Sequence, residues 1–190
     1  MFTDRPPSTA ALRARFLESD RLRRLEIPQY DRLRASAKSI DSAMQGSTAS
    51  SVRQACVEFL SVASGFYLVH QPAIRVLAAR PIRVREGGSA MELFGDYDPE
   101  TLLICLWMRT AIRKQVTSFG TFLSTLCHEF CHHLDCQRFG WRESWHTRGF
   151  YERTAALYHH ARGTPVKPLF WVRAPGERWR IDWPRTNRGA

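Results

Sequence analysis

The stretch TLCHEFCHHLDCQR, residues 125–138, constrains this chain more than any other. His128, Glu129 and His132 form H-E-x-x-H. At about 100° per residue, a helix sets the two histidines some 40° apart and one turn apart along its axis, so both imidazoles reach one ion. With His128 at zero, Phe119, Leu123, Leu126, Phe130 and Leu134 gather between about 120° and 240°, on the opposite side. The segment therefore reads as a helix from near Ser118 to about Arg138, ended by Gly140, with one face for the core and the other for a site. The competing reading is a buried helix whose histidines are satisfied by the core.

The same projection sorts the neighbours. Cys127 and Cys131, near −100° and −60°, lie at the border of the two faces, and their i, i+4 spacing of about 5–6 Å is too wide for a disulfide, so they read as small buried hydrophobes. His133 points about 140° from His128 and cannot share its ion. Asp135, near −20°, reads either as a group orienting a ligand or as a solvated carboxylate near the helix end. Cys136 reads as a passive thiol at the edge of the cleft, and His159 and His160 as helix-end residues facing solvent.

Upstream, Leu12, Phe16, Leu22 and Leu25 predict an amphipathic helix over residues 9–25. SAKSIDSAMQGSTASS, residues 36–51, reads as a polar loop with Ser50 or Ser51 capping the next helix, and Val52 to Val69 is the clearest helix of the first half. AIRVLA, PIRVR, MELFGDY and TLLICLWMRTA read as strands, and GDYDPET as the turn of a hairpin within residues 91–110. A further helix is expected from Thr147 to Arg162. The tail from residue 164, with Trp171, Trp179 and Trp183 among arginines, reads as a strand pair over the core or as a mobile arm.

A catalytic zinc usually takes three protein ligands. His146 follows His132 after thirteen intervening residues, in WHTRGFYERTAAL, where a helix, a short connection and a returning helix would bring it over the first pair. Glu152, a carboxylate on the later helix, is the fallback ligand. TLCHEFCHHLD followed by WHTRGFYERTAAL resembles the SprT-like zincin metalloproteases, whose relatives include the Spartan proteases. Their pattern is H-E-x-x-H, a third histidine after a short gap, then a small residue and an aromatic, as in His146, Thr147 and Phe150. The resemblance covers residues 118–160 and implies zinc held by His128, His132 and His146, Glu129 as general base, and an α+β zincin-like single domain in which a small sheet packs against helices. Thr147 stands where many relatives carry Gly, and the tail lacks the cysteine pairs of a zinc ribbon.

On this reading the chain, residues 1–190, is a zinc metalloendopeptidase acting on a protein or peptide substrate, cradled by an edge strand within residues 91–109. The alternative is a catalytically silent zinc-binding module whose basic ends hold nucleic acid or a protein partner. The net charge of +10 is concentrated at those ends: residues 1–40 carry nine Arg/Lys against five Asp/Glu, residues 160–190 seven against two, and the rest twelve against eleven. Such ends suit a polyanion, or serve as a solubilising surface. Five cysteines, an odd number, read as reduced thiols. No run approaches the roughly 18 apolar residues of a membrane span, and the N-terminus lacks a signal-peptide core, so a cytoplasmic protein is expected.

Overall fold

The computed structural model describes residues 1–27, 31–46, 48–84 and 90–189. Its elements follow in the order α1 Ala10–Arg21, α2 Arg32–Gln45, α3 Ala49–Tyr67, β1 Ala73–Ala79, β2 Ile82–Val84, β3 Ala90–Glu92, β4 Gly95–Asp98, β5 Leu103–Arg109, α4 Phe119–Gln137, α5 Arg148–Arg162, β6 Trp171–Ala174, β7 Arg178–Ile181 and α6 Trp183–Arg188. The fold is thus α+β. The end of the PIRVR segment, at Arg85, lies outside the described residues.

Strand β5 lies between β1, which runs parallel to it, and β4, which runs antiparallel. Burial along β5 alternates strictly: Ile104, Leu106 and Met108 face inward while their neighbours are half-exposed, the signature of a sheet with one covered face. That face meets α3 and α4, and the apolar sides of α2, α3, α4 and α5 complete one continuous core around Phe59, Phe122, Phe130 and Phe150. The predicted hairpin is present as β4–β5, with Asp98 opposite Leu103. The Asp98 carboxylate accepts hydrogen bonds from the backbone N–H of Glu100 and of Thr101, which fixes its turn. Residues 91 and 92 belong instead to β3, paired with β2.

Two expectations from the N-terminal half need correction. Residues 36–45 are helix, not loop: Leu33, Ala37, Ile40 and Met44 recur every three or four residues and are all buried on α2. The serines that disguise this period are accommodated by the helix, since Ser36 and Ser39 donate their hydroxyls to the carbonyls of Leu33 and Ala35. Burial of an apolar stripe outweighs their weak helix propensity. The cap of α3 falls accordingly on Thr48, whose hydroxyl accepts from Ser51 N–H, rather than on Ser50 or Ser51. Helix α1 ends at Arg21, short of the expected Leu25, and its buried residues are Phe16, Ser19 and Asp20, so it docks through polar groups as much as apolar ones.

The two basic ends meet. Phe2 bridges Arg180, Thr3 N–H donates to Trp179 O, and Ile181 N–H donates to Met1 O, so residues 1–3 run along β7 through one isolated bridge. The tail is therefore the strand pair, not a loose arm, with Ile181 buried and Trp171 against Tyr151. Its Trp and Arg interleaving has an internal explanation: Arg148 and Arg173 both stack on Trp179, Arg178 on Phe2 and Arg185 on Phe170. No helix among the described residues is long and apolar enough to cross a membrane.

Candidate metal centre

Helix α4 is N-capped by Ser118, whose hydroxyl accepts from Thr121 N–H, and it turns most of the predicted apolar face inward: Leu123, Leu126, Phe130 and Leu134 are buried, joined by Phe122, while Phe119 at its first turn is half-buried. His128 and His132 emerge on the other side. His146 ends the connection to α5, immediately before the N-cap Thr147, whose hydroxyl accepts from Phe150 N–H. Thr147 thus does work a glycine could not. The close approach happens two residues later, at Gly149, where an added Cβ would lie 2.1 Å from Ser19 O of α1.

The three histidines present the same nitrogen to one point. His128 Nε2 lies 3.0 Å from His146 Nε2 and 3.2 Å from His132 Nε2. Tetrahedral bonds of about 2.0–2.1 Å to a shared ion would place two nitrogens roughly 3.3 Å apart. The partners of the outward nitrogens fix the tautomers. His146 Nδ1 is 3.3 Å from the Asp4 carboxylate, an acceptor only, so Nδ1 carries the proton and Nε2 is bare. Asp135 accepts from Ser144 Oγ at 3.1 Å, so Ser144 accepts in turn from His132 Nδ1 at 2.7 Å and leaves that Nε2 bare as well. A single proton on His128 Nε2 satisfies at most one of the two, whereas one cation satisfies all three. Among the described residues these histidines are the group able to hold a metal ion.

Protonation states agree with this. Burial, with the proximity of His146, pushes His128 down to about 3, and burial with both neighbouring histidines holds His132 well below its ordinary range. Neutral imidazoles are what a metal requires. Burial tends to raise the Asp4 carboxyl, but the hydrogen bonds from His146 hold it net below the ordinary carboxylate range. Burial pushes Asp135 up to about 6, opposed by Arg153, so it stays ionised at neutral pH.

Glu129 occupies the wall of the same cleft, a cavity of about 980 Å³ that also includes the three histidines and residues 93–97. Its carboxyl is pushed up to about 8 by burial and then by Asp96. Among the described residues no group hydrogen-bonds to it. Strand β4 passes so close that a Cβ at Gly95 would lie 2.6 Å from Glu129 Oε1 and 2.6 Å from Thr125 Cγ2, which is why residue 95 has no side chain.

The other chemically able residues lie elsewhere. The fallback ligand Glu152 is turned away from the histidines: its carboxylate accepts from Trp171 Nε1 at 2.9 Å and pairs with Arg23. Asp135 is not a solvated helix-end carboxylate but a completely buried one, paired with Arg153 at 2.8 Å. His133 donates from Nε2 to His70 O and accepts the Tyr97 hydroxyl at Nδ1, which makes it a core histidine. Cys127 and Cys131 are buried, all five cysteines are free, and Cys136 borders the cleft with a thiol that burial pushes up to about 11. His159 and His160 sit in the last turn of α5.

Sequence reasoning missed Asp4, Ser144, Arg153 and Gly95. Asp4 stands 142 residues from its partner, and no local spacing announces such a contact. Ser144 reaches Asp135 and His132 because its backbone adopts φ 37°, a conformation no motif encodes. Comparison of the chain with protein-family models, curated proteins and solved structures finds no match.

Proposed function

We propose that this chain is a zinc-dependent endopeptidase of the zincin type, similar to the SprT-like metalloproteases, with zinc held by His128, His132 and His146. The observation that carries the reading is the convergence of three Nε2 atoms beside Glu129, whose carboxyl lines the same cleft and makes no hydrogen bond among the described residues. A carboxyl held next to the ligands but engaged by no neighbour among the described residues is available for proton transfer, and a site that only bound metal has no use for it. Imidazole donors suit zinc among the divalent metals, although other transition ions share the preference.

Zinc, when bound, supplies a Lewis acid that polarises a peptide carbonyl and acidifies water. Glu129, whose ionised form a cation on the three histidines would favour against the burial that raises its carboxyl, takes a proton from the attacking water and returns it to the leaving amine. The edge of β4 that no strand among the described residues pairs with lines the cleft and offers main-chain hydrogen bonds to an extended substrate, while Gly95 leaves room for Glu129 beneath it. Asp4 and the Asp135–Ser144 pair hold two imidazoles in the tautomer that leaves Nε2 free. The alternative of a silent zinc module with nucleic-acid-binding ends has less support, because several of the arginines that motivated it stack on aromatic rings of the same chain.

Metal analysis of the purified chain is expected to find one zinc per molecule, and the zinc-loaded chain to digest an unfolded protein such as reduced casein. A chelator should stop digestion and added zinc restore it; a chain that takes up no zinc refutes the reading. His146→Ala should lose the metal. Asp4→Ala is expected to keep the fold and weaken zinc affinity about 10- to 100-fold, read by competition with a chromophoric chelator. Equal affinity would remove Asp4 from the site.

A further inference from the structure

A second cavity, of about 280 Å³, opens from the flank of the cleft. Both cavities are bordered by Met1, Ser124, His128, Tyr158 and Trp183, so a chain lying in the cleft passes its mouth beside His128. Behind the mouth the walls are Tyr151 and Ala155 of α5 and Leu169 and Ile181 of the tail. Much of the polar lining is already engaged. The Tyr151 hydroxyl donates to Phe2 O, His159 Nδ1 is 2.8 Å from Thr164 Oγ1, Thr186 Oγ1 accepts from Phe170 N–H, and Lys167 Nζ donates to Asn187 O. Apart from the side chains of Ser124, Thr154 and Asn187, what remains for a ligand is carbon surface. An apolar cavity of about 150 Å³ suffices for benzene, so this one has room for an aromatic ring with its methylene stem.

The geometry points to this cavity as the subsite that selects a substrate residue flanking the scissile bond, taking a large apolar or aromatic side chain. The inference rests on the peptidase reading and gives the tail a role in substrate choice. A charged side chain entering it would give up its water for a lining that is mostly carbon.

The test uses the zinc-loaded full chain and quenched peptides that are identical except at the residues on either side of the cleaved bond, with Phe or Leu compared against Ala or Asp. Phe or Leu at one of these positions is expected to raise kcat/KM about tenfold or more. Ala155→Trp, which fills the cavity, should bring that ratio near one. Trp183→Ala, which removes an exposed part of the wall and makes little demand on the fold, should lower it severalfold. Cleavage of all peptides at equal rates, or a preference that survives both substitutions, overturns the subsite and leaves the peptidase reading standing. No cleavage of any peptide or of casein overturns both.

Discussion

Glu129→Gln is expected to leave zinc bound and to lower hydrolysis of an unfolded protein by at least about 10²- to 10⁴-fold, the range that a positioned general base contributes. Glutamine has nearly the same shape, and it cannot accept the water proton. Because Glu129 is not a ligand, metal content and melting temperature should stay close to those of the parent chain. Zinc content measured alongside casein digestion separates the roles. Undiminished hydrolysis would remove Glu129 from the chemistry, whereas loss of zinc would make it part of the metal site.

Arg153→Met carries the largest expected cost in stability. Arg153 and Asp135 are 1% and 0% exposed, and Arg153 also donates to the carbonyls of Ser19 and Leu22 at the end of α1. Removing one partner leaves the Asp135 charge buried without compensation, a loss of about 3–5 kcal/mol. For a chain of this length that corresponds to a fall in melting temperature of roughly 10 °C or more. The metal site should suffer as well, because Asp135 fixes Ser144 and Ser144 fixes His132. Asp135→Asn then makes a useful companion: the amide keeps the shape and can still accept from Ser144, yet it removes the charge opposite Arg153. A change in unfolding free energy below about 1 kcal/mol for Arg153→Met would show that the pair is dispensable to the fold.

The part of the site that follows a short period was legible in the sequence. Helix α4 shows its polarity in the spacing of Phe122, Leu126 and Phe130 against His128 and His132, because helical geometry converts sequence distance directly into angle. The placement of His146 needed only one connection and one returning helix. Legibility failed where contacts cross the chain. Nothing near Asp4 reports that it meets His146, and Asp135 resembles a solvent-facing carboxylate until Arg153 of another helix is seen against it. Helix α2 failed differently: the burial that makes it a helix is supplied by α3 and α5, while its serines locally resemble those of a loop.

The pairing of residues 1–3 with β7 sets an order on the birth of the site. During synthesis His128, His132 and His146 all emerge before Arg178–Ile181, the strand that holds the N-terminal segment and so carries Asp4 to His146. A nascent chain therefore has its three ligands before it has the strand that places Asp4 against the last of them. Completion of the site thus waits for β7, which follows all three histidines in the sequence.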